Sequence, residues 1–510
     1  MKINYILYLV LLSSLSLLSC KKDFLNQTNP NAIASSDYFE SPNDVLLAVN
    51  GAYQALRNNN GMAEGSGLYS EERSDNTGRN DNQSNGGEPF QFNNFSILPT
   101  NSFLQSHWNA LYSIVNAANF AIEGAESVTF SDQNLKNQYE AEAKFIRAIT
   151  YFDLVRKWGA VPLVDKPVSS IEEAMAKNYR VSMDSVYSLI VSDLQYTINS
   201  SLPNIQSSTG IGHASKAAAC GYLGKVYLTM ASTLSADKKT ENLINAKTYL
   251  EQSYAMRKFG TLSEIPYASV FDVNQKTTNA ELLFQIEYKQ GDQNYASSIA
   301  ANNQAKGETI NSLKNATGIG GNVCHDLVND YELNDIRKAF SIKFASNVSV
   351  NDYFITKFRD TSSAAGTNGY GGNDWILLRY ADVILMLAEV NNDLNNSDVA
   401  ISYLDQVRTR AGLPSYEQSI LSQDYGTKYP SLKLAILHER RAELAFENQR
   451  LYDLLRNFTP TEFAAYFQSK KQADYGLAQL ANCGTKDYYY PIPFNDNKLN
   501  PTGLYQNPGY

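Results

Sequence analysis

Apolar residues recur every three or four positions along most of this chain, which is the spacing of helices that bury one face. The first such run begins at Ser41-Pro42, where serine caps the helix and proline fits its first turn, and it extends to about Arg57. The same spacing predicts further helices over 102–126, 132–158, 182–199, 214–232, 243–256, 376–393, 397–411 and 431–457. We therefore predict a mainly α-helical protein.

Two parts of the chain lack this periodicity. Residues 58–100 are rich in Asn, Gly and Ser, and we interpret them as a long functional loop region. In 257–375 the pattern is mixed, with Leu282–Tyr288 and Tyr353–Ile355 predicted as short strands. The remaining polar, Gly- and Asn-rich loops of that region lie at 289–321 and 359–374. The helical protein is thus expected to carry irregular, loop-rich insertions and a few short strands.

A short internal repeat indicates how the helices are arranged. Ala246–Gln252 recurs as Ala400–Gln406, and each copy follows a helix with small or aromatic residues at its contact positions. Small residues let two helices approach closely, so the repeat favours the paired helices of a tetratricopeptide-like scaffold. No clean period of about 34 residues is present, and a chance match of two short helical segments is the alternative.

Residues 1–20 have the organisation of a secretion signal. Lys2 supplies a positive charge, Tyr5–Leu18 form an apolar segment, and Cys20 follows a small residue. The apolar segment is shorter than the roughly 20 residues that a helix needs to cross a bilayer. Its ending resembles a bacterial lipobox, which predicts cleavage after residue 19 and acylation of Cys20 by diacylglycerol and a fatty acid such as palmitate. An ordinary secretory peptide with a chance cysteine is the alternative.

Composition and charge narrow the possible partners. The formal net charge of −9 argues against nucleic acid, whose phosphates need a basic face, and against electrostatic binding to a membrane. Tyrosine is common, with 34 residues against 22 phenylalanines, and its apolar ring with a hydroxyl suits a ligand surface. Apart from Cys20, no short spacing joins the remaining cysteines, so we expect no disulfide among Cys220, Cys324 and Cys483.

No motif in the chain indicates catalysis. The four histidines lack the spacing of a zinc hydrolase, and neither a serine elbow nor a phosphate-binding glycine loop is present. Cys324-His325-Asp326 is a weak metal candidate, because adjacent side chains point in different directions. The Asp- and Asn-rich loop 73–82 is a candidate site for a structural calcium ion, and no other cofactor is expected. The hypothesis of a glycosidase also stays open, since such an enzyme needs two opposed carboxylates and the chain has 52 acidic residues.

Several motifs occur along the chain in a defined order. They are Asp23-Phe24-Leu25, Trp108–Tyr112 with Asn116 and Asn119, Ala143–Ala148, Gly159–Leu163, Leu378–Glu389, Glu439–Glu447, Pro491–Pro493, Asn500-Pro501 and Gln506–Tyr510. Together they resemble the motifs of the SusD/RagB family, the surface nutrient-binding lipoproteins of Bacteroidetes. Asn448 stands where that family usually has glycine, and asparagine is the next best residue for a left-handed backbone.

The resemblance implies a fold, a location and a role. Members of the family have a tetratricopeptide-like scaffold with irregular insertions, and they bind nutrients without cleaving them. They cover a SusC-type TonB-dependent transporter in the outer membrane, facing the cell exterior. For this chain the resemblance implies a non-catalytic lipoprotein that captures an oligosaccharide for such a transporter. A peptide-binding member of the family is the main alternative, and a surface glycosidase is a lesser one.

The resemblance also implies regions and contact residues. The expected regions are the signal peptide 1–19, the lipidated tether 20–40, an N-terminal helical region 41–256, a ligand-binding insertion 257–375 and a C-terminal region 376–510. Ligand contacts are expected from loops at 58–100, 289–321 and 359–375. Sugar binding needs aromatic faces with planar amide or guanidinium partners, and the candidates are Tyr69, Arg79, Phe90, Phe92, Tyr295, Tyr370 and Trp375. Trp108 and Trp158 lie in helical motifs and are expected in the core.

One motif near the C-terminus is too rich in charge for an ordinary core helix. Its charged residues are Glu439, Arg440, Arg441, Glu443, Glu447, Arg450, Asp453 and Arg456. Spacings of three and four place opposite charges within reach of each other, so we predict a partly buried ionic network that determines helix packing. Pro491-Ile492-Pro493 and the terminal Tyr510 are expected to hold the tail against the helical body.

Cys20→Ala tests the lipid anchor. Since acyl chains alone would hold this acidic protein at a membrane, the variant is expected to leave the outer-membrane fraction and become soluble. Membrane fractionation with immunodetection measures this. Retention of the variant in the membrane fraction would refute lipid attachment at Cys20.

Overall fold

The computed structural model describes residues 38–63, 67–77, 84–316, 321–347, 349–471 and 478–510. Cys20, the signal segment and Arg79 therefore lie outside the described residues. Within those ranges the chain is mainly helical, with four short strands. None of the described helices combines the length and apolar character that a membrane span requires.

The N-terminal half supplies most of the long helices. They are α1 (Pro42–Leu56), α2 (Ser84–Gly87), α3 (Phe90–Asn93), α4 (Ser102–Ser127), α5 (Gln133–Trp158), α6 (Ile171–Lys177), α7 (Met183–Asn199), α8 (Lys216–Thr233) and α9 (Lys239–Ala255). Side-chain caps begin several of them: Asn101 accepts the N–H of Leu104 in α4, and Ser215 accepts that of Ala218 in α8. Helix α5 packs on both α4 and α7, and Trp108 and Trp158 are buried at these contacts, as predicted.

The second half mixes shorter helices with the strands. Its elements are β1 (Leu282–Ile286), α10 (Ile299–Asn302), α11 (His325–Asp330), α12 (Ile336–Ser341), β2 (Ile342–Ala345), β3 (Asp352–Ile355), β4 (Trp375–Arg379), α13 (Tyr380–Asp393), α14 (Ser397–Arg410), α15 (Tyr416–Ser419), α16 (Gln423–Lys428), α17 (Leu432–Glu443), α18 (Arg450–Asn457), α19 (Pro460–Gln468) and α20 (Phe494–Asn497). Strands β1 and β4 pair antiparallel, and so do β2 and β3.

Short 3-10 turns connect these elements. They lie at Glu71–Arg73, Ala236–Lys238, Leu262–Glu264, Tyr267–Phe271, Ala478–Asn482 and Thr485–Tyr488.

The internal repeat marks two pairs of packed helices, α8 with α9 and α13 with α14. Gly224 lets the first pair approach closely, since a Cβ there would lie 2.5 Å from Cγ of Leu250. The rings of Tyr227 and Tyr249 stack across the same pair with centroids 5.8 Å apart. Helix α9 also packs on α13, so the two pairs are joined. The predicted tetratricopeptide-like arrangement is confirmed.

Two predicted helices differ from those observed. The helix predicted from residue 376 begins only at Tyr380, because 375–379 form β4 and pair with β1. The helix predicted over 431–457 is interrupted, since Phe446 and Asn448 have φ values of 67° and 58°. The left-handed backbone expected at Asn448 is present. Both interrupting residues donate their N–H groups to the carboxylate of Glu71, at 2.9 and 3.0 Å, and this holds the turn.

The segment 67–77 is buried, although it belongs to the region predicted as a ligand-binding loop. Its residues show no helical periodicity, and many of their polar groups bond to other parts of the chain. Asp75, for example, is fully buried and forms ion pairs of 2.7 Å with Arg450 and 3.1 Å with Arg441. This segment stabilises the C-terminal helices and offers little surface for a ligand.

A cluster of buried charges surrounds Glu443. Its carboxylate lies 2.6 Å from Nη1 of Arg379 and 3.0 Å from Nη1 of Arg337, and it also pairs with Arg410. Burial alone would raise the pKa of Glu443, but the guanidiniums, Arg410 first, outweigh it and lower that pKa. Arg379 extends the cluster to Glu447, whose Oε1 lies 2.7 Å from its Nη2.

All eight charged residues of the C-terminal motif are buried and paired. The partners differ from those that spacing predicts. Among the described ion pairs within this set, Asp453–Arg456 joins residues three apart at 2.8 Å, and Arg440–Asp453 joins α17 to α18 at 2.9 Å. The other partners come from distant parts of the chain: Asp75, Asp326, Asp330, Arg337, Lys357, Arg379, Asp382, Glu389, Arg408 and Arg410.

The C-terminal tail is fastened to the end of α5, as predicted. The indole N–H of Trp158 donates to the carbonyl of Pro491 at 3.0 Å, and the N–H of Tyr490 donates to the carbonyl of Lys157 at 2.8 Å. Ile492 is fully buried, and the hydroxyl of Tyr510 donates to Asp487 at 3.2 Å.

Glu443→Gln tests whether the cluster stabilises the fold. The variant leaves buried guanidiniums without a full counter-charge, and breaking a buried pair in this way costs roughly 3–5 kcal/mol. We expect a clear drop in the thermal unfolding temperature, measured by circular dichroism. The matched control is Asp424→Asn, which removes a carboxylate from the exposed pair with Lys428 and should leave that temperature unchanged. Equal stability of both variants would contradict the structural role of the cluster.

Candidate ligand-binding groove

Two adjoining cavities of about 640 and 550 Å³ open at the surface and share Arg57 and Tyr288 in their linings. We call them together the tyrosine groove. One side is formed by the end of α1 and by α4, and the other by loop residues within 287–298 and 368–372. The groove thus lies where the N-terminal helices meet the irregular insertion.

The two loops of the groove are held together by backbone hydrogen bonds. Ser297 and Gly371 form an antiparallel bridge, with N–H···O distances of 2.8 and 3.0 Å. The N–H of Gly291 donates to the carbonyl of Tyr370 at 2.9 Å, and that of Lys289 donates to the carbonyl of Tyr295 at 2.7 Å. These bonds bring two sequence-distant loops to one surface and orient both tyrosines.

Asp374 anchors this loop pair to the body of the protein. Its carboxylate accepts hydrogen bonds from the N–H of Tyr288 at 2.8 Å, from Gln285 at 2.8 Å and from Lys276 at 2.7 Å. Burial raises the pKa of Asp374, and the charge of Lys276 opposes that rise. Because Tyr288 lies two residues after the end of β1, the anchor sets where the chain enters the groove.

Arg57 crosses from the end of α1 to the loops. Its Nε donates to the backbone carbonyl of Glu287 at 2.7 Å, and its guanidinium lies over the ring of Tyr295, 5.4 Å from the centroid. A second guanidinium nitrogen donates to Gln54. The guanidinium plane is therefore fixed beside an aromatic face.

Tyr288 remains a hydrogen-bond donor at neutral pH. Burial raises the pKa of its hydroxyl to about 12, although the nearby Arg57 opposes the shift. Amide side chains provide further donors and acceptors around it, at Asn58, Asn59, Gln293, Asn294 and Asn368. Tyrosine rings, amides and a guanidinium in one open groove suit a ligand with many hydroxyl groups and apolar ring faces.

The structure brings two of the predicted ligand residues together. Tyr295 and Tyr370 line the groove, and Tyr295 is 42% exposed. Phe90 is half-buried at the start of α3 and does not line the groove. Arg79 lies outside the described residues.

Three other predicted ligand residues lie in the core instead: Tyr69, Phe92 and Trp375. The ring of Tyr69 stacks on His107 with centroids 4.0 Å apart, and its hydroxyl donates to Asn60 at 2.8 Å. Trp375 begins β4 and packs against Phe358 with centroids 5.6 Å apart. These rings fill the interior because their backbone segments are themselves buried, which composition alone did not indicate.

Sequence reasoning missed Arg57, Tyr288 and Lys314 as groove residues. Arg57 ends a predicted amphipathic helix, and Tyr288 ends a predicted strand. Lys314 lies in a predicted ligand loop but has no aromatic ring or planar group. The position of Arg57 and Tyr288 is the sequence signal that could have indicated them, since a polar residue just after a buried element lies at the edge where loops converge.

The sequence-predicted metal candidates do not form a site. Cys324 donates to the carbonyl of Thr77, His325 pairs with Asp352 at 2.7 Å, and Asp326 pairs with Arg441. The three side chains thus point to different partners. In the described part of the calcium candidate loop, the carboxylate of Asp75 is occupied by arginines, and no metal-ligating cluster occurs among the described residues. The cysteines at 220, 324 and 483 are buried, and no disulfide joins them.

Comparisons with known proteins agree on one family over most of the chain. A family model described as "SusD family" matches residues 287–510, and one described as "Starch-binding associating with outer membrane" matches residues 23–228. SusD-like protein P2 of Formosa agariphila is 28% identical over 542 residues, covering all of both chains.

Solved structures show the same fold. A laminarin-binding SusD-like protein superposes with a TM-score of 0.73 at 24% identity, covering 92% of this chain and 100% of that one. NanU of B. fragilis superposes with a TM-score of 0.76 at 21% identity, covering 95% and 100%. With matches at both ends of the chain and a shared helical architecture between them, this protein belongs to the SusD/RagB family, whose members associate with the outer membrane.

Proposed function

We propose that this protein is a non-catalytic, lipid-anchored surface protein that binds an oligosaccharide in the tyrosine groove. The observation that carries the proposal is the groove itself, where Tyr288, Tyr295 and Tyr370 surround an open cavity on a rigid helical scaffold. Aromatic faces can stack on sugar rings, and neighbouring amides can pair with their hydroxyls. Relatives of the same fold include a laminarin-binding protein, which supports a glycan as ligand.

The proposal includes delivery to a transporter. A lipid on Cys20 would hold the protein at the outer membrane, in keeping with the family model that names that location. A bound oligosaccharide is too polar to cross the membrane unaided, so a surface-binding protein needs a channel beside it. We propose a SusC-type TonB-dependent transporter as that partner.

The lining of the groove supports binding without cleavage. Hydrolysis of a glycosidic bond usually requires two carboxyl groups about 5–10 Å apart. Among the described residues that line the two cavities, only Glu287 carries a carboxylate. A second acid would have to enter from elsewhere before the groove could act as a glycosidase.

A soluble form that begins at Lys21 allows the ligand to be identified. Isothermal titration calorimetry against plant, fungal and host oligosaccharides, with peptide digests alongside, measures binding, and chromatography of the mixtures measures cleavage. Binding of a glycan without product release is the expected result. Binding of peptides alone would favour a peptide-binding member of the family, and release of shortened sugars would refute the non-catalytic role.

Tyr370→Ala and Tyr288→Ala test the location of the site. Each removes a ring from the groove, and loss of a tyrosine that anchors a ligand weakens binding about tenfold or more, which is roughly 1.4 kcal/mol. Calorimetry with the glycan found for the wild type measures the change. The matched control is Tyr179→Ala, an exposed tyrosine outside the groove lining. Undiminished affinity in both groove variants would place the site elsewhere.

A further inference from the structure

The charge of the tyrosine groove is opposite to that of the whole chain. The chain has a formal net charge of −9, with 52 acidic and 43 basic residues. The described lining of the groove nevertheless contains four cationic side chains, Arg57, Lys276, Lys289 and Lys314, and one carboxylate, that of Glu287. An acidic protein with a basic binding surface concentrates anions there.

Two of these cations are already neutralised by the protein. Lys276 lies 2.7 Å from the buried carboxylate of Asp374, and it serves the loop anchor described above. Lys289 lies 3.1 Å from Asp292 in an exposed pair. Neither therefore offers a full positive charge to a ligand.

Arg57 and Lys314 are different. No carboxylate among the described residues lies within 4.0 Å of either cation. The nearest acidic lining residue, Glu287, turns towards Gly212, where a Cβ would lie 3.4 Å from its Oε2. The cavity of about 550 Å³ that Arg57, Lys314 and Tyr370 line together has no acidic side chain among its described lining residues. Two uncompensated cations thus share one cavity with an aromatic ring.

The structure also supports the stem of Lys314. Its Cδ and Cβ lie against Gly369, where an added Cβ would be 2.9 and 3.0 Å from them. Gly369 has a φ of 72°, which a residue with a side chain rarely adopts. Glycine therefore both permits this backbone conformation and leaves room for the stem of Lys314. The carbonyl of Lys314 is held by Gln304 at 2.7 Å. The ammonium group is consequently presented from a braced loop beside Tyr370.

Arg57 is braced in the same way. Its Nε and Nη1 are used by the protein, at Glu287 and Gln54, and the described residues supply no hydrogen-bond acceptor for Nη2. The guanidinium is fixed against Tyr295, so its remaining N–H groups have a set direction. A planar guanidinium of this kind suits carboxylate and sulfate oxygens.

We propose that the tyrosine groove is selective for an anionic oligosaccharide, with Arg57 and Lys314 binding carboxylate or sulfate groups while the tyrosines stack on the sugar rings. This proposal rests on the proposed function, since it specifies the ligand class of the same site. Uronic acids and sulfate esters share the chemistry that the two cations recognise.

Calorimetry with three defined probes tests the selectivity. Oligogalacturonides carry carboxylates, κ-carrageenan oligosaccharides carry sulfates, and laminarin oligosaccharides are neutral. We expect one of the two anionic probes to bind more tightly than the neutral one, and the better anionic probe identifies the group recognised. Because exposed charges are screened, affinity for that probe should fall several-fold between 50 and 300 mM salt.

Lys314→Met is the decisive variant, because it keeps the stem over Gly369 and removes the charge. We expect about a tenfold rise in the Kd of the anionic probe and a weaker salt dependence, and Lys314→Arg should restore both. Lys247→Ala removes the same charge from α9, outside the groove, and should change neither.

The outcomes separate this inference from the proposed function. If laminarin binds best, through Tyr370 and with no effect of Lys314→Met, the groove binds glycans but charge selectivity is refuted. If an anionic probe binds without any effect of salt or of Lys314→Met, charge selectivity is likewise refuted. If no carbohydrate of either class binds, both proposals are refuted.

Discussion

The ion pair between Arg379 and Glu443 is the interaction on which most of the structure depends. Its two residues belong to the end of β4 and the end of α17, and they lie 2.6 Å apart with almost no exposure to solvent. Arg379 also contacts Glu281, at 2.7 Å, one residue before β1. A single guanidinium therefore joins the small sheet to the C-terminal helices. Since an unpaired charge at this depth is very costly, the surrounding elements have few alternative arrangements.

This constraint extends to the tyrosine groove through the sheet. Strand β1 begins beside Glu281 and ends two residues before Tyr288, while β4 begins one residue after Asp374. The anchor between Asp374 and Tyr288 closes the same sheet at its other end. The charge cluster thus aligns one end of the strand pair, and the groove loops leave from the other. One short sheet in this way connects the buried charge cluster at one end to the open groove at the other.

The protein uses cations in two contrasting ways. In the core, arginines such as Arg337 and Arg440 each pair with at least two carboxylates and serve packing. In the groove, Arg57 is held by the carbonyl of Glu287 and Lys314 by the contact of its stem with Gly369, with no carboxylate from the described residues within 4.0 Å of either cation. The difference is one of partners and burial rather than of residue type, so sequence alone does not separate the two uses.

The amino-acid sequence by itself determined the helical scaffold, the short strand at β1, the fastened tail and the family, because periodicity, caps and ordered motifs are local properties of the chain. It also predicted as ligand contacts Tyr295 and Tyr370, which line the tyrosine groove and belong to loops without an apolar pattern. Only the tertiary structure decided that Trp375 is a core residue, that the partners of the C-terminal charges come from distant segments, and that Arg57 meets two remote loops. The physical reason is that burial and ion pairing depend on which segments come together in space. Local spacing indicates which face of a helix is buried, but it contains no information about which distant segments pack against that face.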